Sequence, residues 1–474
     1  MSRLIGVLGL LVVSTARAEP PPTLPIGPPA VLSPSAPTPP IVWSGTLGGG
    51  VPVALVERHG LPLVRVELSF DITMLEVSAG ALDALGGVWG EGLASGDTRD
   101  TLEKVGADVS LGCGAVRCWA VLEVPVEGLA EALALSARVV REPMLRSVGI
   151  ARWRRDARRE WSTDWLGPGI VHARALGRLT WPDGHPYRLD RSTAADLQMH
   201  RADVRDAWRR VTGEAAASIV VAGDVVPAAV LPLLEAAYGG LGGGASAAEV
   251  GPPSAPAGRH VLVNAPGANQ AIVSVAWAGP TRMSADYGAY TLAFQALAGG
   301  FTSRLNLRLR EDEGLTYRVD GAYSAEAGYG WGQIELAVDP LRVGAVLAIL
   351  TEELERARTE GFTEAEIGAA RHQLWLQAAV ETSTLAGLAR VSWRERRAGM
   401  TPGASVTHLA MLQDVSVGQV AAAAATWLAQ PRTWLVSGDG DTLEPALEQA
   451  DWPTDVVWGA CQAVYGGRCP PRGD

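Results

Sequence analysis

The sequence predicts an α+β fold built twice over, and three observations carry that expectation. Local strings recur at a fixed offset: Leu412-Gln413 and Gly438-Asp439 repeat Leu197-Gln198 and Gly223-Asp224 215 positions later. Each pair brackets a helical stretch and then an apolar strand, Ile219 to Ala222 in the first half and Trp434 to Ser437 in the second, so the halves share a fold. Leu63 to Phe70, and Ile334, Leu336 and Val338, alternate with the period of a half-buried strand. Thr363-Glu364-Ala365-Glu366 and Ser416/Gln419 read as capping boxes that start helices. Each half runs as an alternating strand, a long helix, a strand hairpin, paired helices and a closing strand. Strands grouped with helices on one face give α+β rather than a doubly wound sheet.

Taken in order, residues 1–18 read as an export signal. Arg3 supplies the positive start, Leu4 to Val13 the apolar run, and Ala16-Arg17-Ala18 the small-x-small cleavage pattern. That run is shorter than the roughly 20 residues a bilayer requires, and no later uncharged stretch reaches that length, so no transmembrane segment is expected. No cysteine near the cleavage site suggests a lipid anchor, and the mature chain is expected to be soluble in the periplasm or outside the cell. Residues 19–40 form a proline-rich tether. The first domain is expected over residues 41–245, and glycine, alanine, serine and proline mark a break whose linker is placed at 246–258. The second domain is expected over 259–445, followed by a cysteine-containing tail, 446–474.

Loss of Arg3 and Arg17 with the signal moves the formal charge from −11 to −13, which argues against nucleic acid as a partner. The four cysteines suit an oxidising compartment. Cys113 and Cys118 flank a short turn between alternating segments, opposite each other on paired strands, and are predicted to be bridged; Cys461 and Cys469 form the second expected bridge. Their spacings do not suit a four-thiolate zinc site. Arg152, Arg154, Arg155, Arg158 and Arg159 form a basic helical stretch, read as a solvated face, with docking of an acidic partner as the rival.

Several strings, together with the repeat, resemble the pitrilysin and insulinase type of zinc peptidase, the mitochondrial processing peptidase group above all. They are Asp183-Gly184-His185-Pro186-Tyr187, Val221-Ala222-Gly223-Asp224, Leu297 to Leu305, and Arg310 to Tyr317. The resemblance covers roughly Ile41 to Asp439. It implies two homologous domains, each a mixed, mostly antiparallel sheet with helices packed on one face.

Active members of that family carry His-x-x-Glu-His on a helix, two imidazoles for zinc and a carboxylate to activate water. Here Leu85 to Leu93 stands in that place without a histidine. Aligned on Gly96, the ligand positions fall on Gly87 and Glu91 and the base on Gly90; a one-residue shift gives Val88 and Gly92 as ligands and Glu91 as base. The seven histidines contain no pair three to five apart. The family's third ligand would fall on Glu160, read as a solvated helix carboxylate, so this chain is expected to bind no metal or cofactor.

What the resemblance retains is Arg310 and Tyr317, matching an arginine and a tyrosine that face the zinc across the family's chamber. Phe301, Leu305 and Leu309 read as an apolar stripe, Gly314 as a left-handed helix end, and Tyr317 as the start of a strand. Guanidinium and phenol both donate hydrogen bonds, so the pair is expected to hold a peptide carbonyl and its oxyanion. The expected function is therefore the non-zinc subunit of an exported heterodimeric peptidase, with polypeptide as substrate and zinc in a homologous partner subunit. The alternative is a non-catalytic polypeptide-binding or assembly protein on the same fold.

Overall fold

Alternating apolar residues in the first half become β1 (Val42–Thr46), β2 (Pro52–Glu57), β3 (Leu63–Asp71), β4 (Asp108–Cys113), β5 (Arg117–Pro125) and β6 (Ala216–Gly223). They form one six-stranded sheet in the order β1-β2-β6-β3-β5-β4, antiparallel except for the β2–β6 pair. The second half gives β7 (His260–Asn264), β8 (Ala271–Gly279), β9 (Val319–Ala325), β10 (Gly330–Val338), β11 (Arg432–Gly438) and β12 (Val456–Gly459). Its order is β12-β7-β11-β8-β10-β9, so β7-β11-β8-β10-β9 repeats β2-β6-β3-β5-β4, and only the edge strands β1 and β12 differ. The structure, a computed structural model, describes residues 42–188, 198–241, 251–254 and 258–467. The export signal, the tether, Ile41, Leu197, most of the linker and Cys469 lie outside the described residues.

The helices of the first half are α1 (Ala79–Val88), α2 (Gly96–Lys104), α3 (Leu129–Arg141), α4 (Ser147–Thr163), α5 (Pro168–Thr180), α6 (Arg201–Gly213) and α7 (Pro227–Tyr238). Leu85, Leu133, Val204 and Leu234 from α1, α3, α6 and α7 bury against Leu68, Leu122 and Ile219 of the sheet. Each such side chain contributes roughly 1.5–3 kcal/mol. In the second half follow α8 (Tyr287–Ala298), α9 (Arg304–Asn306), α10 (Val343–Thr359), α11 (Glu364–Thr382), α12 (Leu385–Arg397), α13 (Ala404–Met411), α14 (Val417–Trp427), α15 (Gly440–Gln449) and α16 (Ala460–Tyr465). Leu292, Leu347, Val420 and Leu443 pack there against Val273, Ile334 and Val436.

The other face of each sheet is covered from the opposite half. Val171, Ala175 and Leu176 of α5 pack with Val261, Val263 and Leu435 of the second sheet. In return, Leu388 of α12 packs on Val56 and Ala222 of the first. This exchange explains why the closing strands β6 and β11 are buried at every position after the first: both faces are covered. It also changes β3, whose expected alternation fails beyond Val66. Glu67 and Ser69 are buried there and held by Arg117 at 2.6 and 3.2 Å, with the Arg117 guanidinium 4.4 Å from the Trp393 ring of α12.

Helix starts are later than the repeated strings suggest. α6 begins at Arg201, where Asp203 accepts the His200 N–H at 2.7 Å, and α14 begins at Val417 under the Ser416/Gln419 box, so Leu412 closes α13 instead. The Thr363/Glu366 box forms and starts α11. Cys113 and Cys118 are register partners on β4 and β5 and are bonded to each other. Among the described residues no helix is long and apolar enough to cross a membrane.

Candidate functional site

The segment that would carry a zinc motif does not form one continuous helix. α1 is capped by Ser78, whose hydroxyl accepts the Ala81 N–H, and it ends at Val88; Trp89–Ala94 then turns as a 3-10 stretch. Gly90 and Gly92 weaken the helix there, while Trp89 drops into the core beside Phe70 at 6.0 Å. Gly87 and Glu91 therefore sit on two different elements, without the one-turn spacing that sets two ligands on one face.

What lies against these positions comes from α4. A Cβ placed on Gly87 would stand 3.3 Å from Cδ1 of Trp153, whose indole N–H donates to Asp83 at 3.1 Å. The Glu91 carboxylate, mostly buried, pairs with Arg152 at 3.0 Å and rests on Gly149, where a Cβ would come within 2.0 Å of Oε1. In the alternative alignment Val88 is a core residue, and Gly92 faces Val139 and Met144. Glu160 is exposed near the end of α4. One carboxylate committed to a guanidinium, two glycines and an overlying indole do not fit a zinc ion. Among the described residues no group of three or more histidines, cysteines, aspartates or glutamates is placed to hold a metal.

In the second half Arg310 and Tyr317 do meet. α9 continues into a π-helical turn, Leu307–Asp312, that carries Arg310; such turns recur at functional sites. Gly314 takes a left-handed φ of 60°, which redirects the chain. Tyr317 lies in the turn ahead of β9, which starts at Val319, so it does not begin the strand as expected. The Arg310 guanidinium lies 5.1 Å from the Tyr317 ring centre and 5.3 Å from that of Phe301. Its Nε faces the Glu311 carboxylate at 3.2 Å. Phe301 departs from the expected stripe. Leu305 and Leu309 are fully buried, but Phe301 is 67% exposed and Tyr317 84%.

Two α+β halves with a shared strand order, each lending a helix to the other's sheet, define a pitrilysin-type fold. Residues 198–374 match the family described as the peptidase M16 inactive domain. An uncharacterized zinc protease of Mycobacterium tuberculosis is 35% identical over 107 residues, 23% of this chain and 24% of the relative. One from Streptomyces coelicolor is 38% identical over 93 residues, 20% and 19% of the two chains. The chain thus spans about a quarter or less of the length of the curated relatives it matches. Among solved structures, a peptidase M16 inactive domain from Pseudomonas fluorescens superposes with a TM-score of 0.74 at 22% identity, covering 84% of this chain and 98% of that one. A Helicobacter pylori protease gives 0.70 at 16%, covering 84% and 99%. The periplasmic protease PqqL of Escherichia coli gives 0.68 at 15%, covering 87% and 48%. The chain thus carries a match to the M16 inactive domain over residues 198–374 and has the fold of M16 peptidases over most of its length, without a His-x-x-Glu-His motif.

The sequence places Phe301 in an apolar stripe and Arg152 on a solvated face, and does not show the part that these two and Trp153 play at these sites. Phe301 was legible in principle, because Gly299-Gly300 precedes it and Ser303 caps α9, so the helix cannot reach back to residue 301. Arg152 and Trp153 left no signal beyond lying in a basic stretch, since their partners Glu91 and Asp83 are more than sixty residues away.

Proposed function

We propose that this chain is an exported, non-zinc pitrilysin-type subunit that binds polypeptide and supplies Arg310 and Tyr317 to a zinc-bearing homologous partner. The observation that carries the reading is the convergence of a guanidinium and a phenol on one exposed site, in a chain whose zinc-motif positions are taken by Trp153 and the Arg152–Glu91 pair. In this reading the partner activates water, while Arg310 and Tyr317 donate hydrogen bonds to the scissile carbonyl as its oxygen gains charge. Loss of one such donor costs about 2.7–4 kcal/mol of transition-state stabilisation. The Cys113–Cys118 bridge supports an oxidising compartment, in line with the signal-like N-terminus. The test is co-purification with a zinc-bearing homologue and measurement of peptide cleavage. Arg310→Ala and Tyr317→Phe are expected to lower the rate by at least a hundredfold, and unchanged rates would remove the catalytic role. The second reading, polypeptide binding with no partner, draws on the same occupied zinc positions and predicts that no such homologue co-purifies from the native host.

A further inference from the structure

The Arg310 site contains more than a pair of donors. Phe301 and Tyr317 lie on the guanidinium at 5.3 and 5.1 Å, so a weakly hydrated cation is held by two aromatic rings. Both rings stand out in solvent, although apolar surface of that size is ordinarily buried. Arg308 and Arg318, the nearby arginines in sequence, are each neutralised by an acid, Glu313 at 2.6 Å and Asp320 at 2.7 Å. Arg310 differs from them. Glu311 meets only its Nε edge, and among the described residues the two terminal nitrogens have no hydrogen-bond partner. A guanidinium fixed in plane, partly desolvated and open at its end is the geometry that takes both oxygens of a carboxylate at once.

We propose that Arg310, positioned by Phe301 and Tyr317, is a carboxylate-binding site, and that the polypeptides this chain binds present either their C-terminal carboxylate or an acidic side chain to it. The proposal rests on the second reading, polypeptide binding without a zinc-bearing partner, in which Arg310 is not engaged by a scissile carbonyl, and it names the group recognised. Phe301 is a positioning residue, whose ring restricts the guanidinium without touching the ligand's oxygens.

The test titrates the mature chain with three fluorescent peptides of one uncharged sequence: a free C-terminus, a C-terminal amide, and the amide with one internal Gln→Glu change. The carboxylate-bearing form is expected to bind at least tenfold tighter than the amide, and whichever of the two acidic peptides does so identifies the source. Arg310→Lys keeps the charge but loses the fork, and should remove most of that preference. Phe301→Ala should reduce it several-fold and Phe301→Trp restore it, a rescue that loss of general packing would not give. Phe301 and Arg310 are both solvent-accessible, and circular dichroism of each variant confirms that it is folded. Equal binding of all three peptides overturns the carboxylate site and leaves polypeptide binding standing. A preference for acid that survives Arg310→Lys also overturns it, and binding of none of the peptides defeats the polypeptide reading together with this inference.

Discussion

His172 on α5 and Ser437 on β11 share a 2.7 Å hydrogen bond across 265 residues of chain. The other ring nitrogen of His172 meets Ser274 on β8, also at 2.7 Å, and the imidazole is 1% exposed. A helix from the first half thus satisfies two buried hydroxyls of the second sheet. Replacing His172 with alanine leaves the Ser437 hydroxyl without its partner and Ser274 with Glu335 alone, at about 1–3 kcal/mol for the unpaired group. Chemical denaturation of His172→Ala should show that loss, and His172→Gln, which keeps a donor and an acceptor, should recover part of it. An unchanged midpoint would mean the contact does not help hold α5 on the sheet.

The same contact sets a pH dependence. The hydrogen bond from His172 holds the Glu335 carboxyl below its ordinary range, against the opposing effect of partial burial, and Ser274 adds a second hydrogen bond at 3.0 Å. A carboxyl whose folded pKa is depressed contributes stability above the unfolded value of about 4.3 and loses it as pH falls through the folded value. Thermal unfolding should therefore show a stability loss below about pH 4 that is shallower in Glu335→Gln than in the wild type. Identical acid limbs would rule out this coupling.

Restoring histidines should not restore metal. Gly87→His places a side chain against Trp153, and Glu91→His lies beyond the end of α1, on the 3-10 stretch. Loss of Glu91 also leaves Arg152 without its partner. The double variant is expected to bind less than one zinc per chain after dialysis, measured by metal analysis. Tight stoichiometric zinc would show that α1 extends readily through Gly90.

Much of this fold was legible because its determinants are local. The Thr363/Glu366 and Ser416/Gln419 boxes are four-residue signatures, and the Cys113–Cys118 pairing follows from alternation on either side of a short turn. The meeting of Arg310 and Tyr317 was legible through the family resemblance and the Gly314 turn. The exchange of α5 and α12 between halves was not, because the apolar face of a helix does not say which sheet it will cover. The closure over Gly87 and Glu91 was hidden for a related reason: it depends on side chains of α4 that pair across the fold with residues no sequence period connects.

The Cys113–Cys118 bridge bears on the same region, since a Cβ on Gly86 of α1 would lie 2.9 Å from the Cys113 backbone nitrogen. The β4–β5 hairpin therefore abuts α1 where the helix approaches its end, and loosening the hairpin loosens that support. A bridge closing so short a loop stabilises by roughly 2 kcal/mol in the chain-entropy model. Cys113→Ser/Cys118→Ser should lower Tm by a few degrees in a chain of this size, since about 1 kcal/mol corresponds to roughly 2–4 °C in a domain of 150–250 residues. The contribution of this bridge is isolated by the reductant response: dithiothreitol should lower the wild-type Tm by more than it lowers that of the double variant. An equal response in both proteins would mean that the hairpin holds its register without the bond, and that backbone pairing between Gly112 and Trp119 suffices to keep β4 against α1.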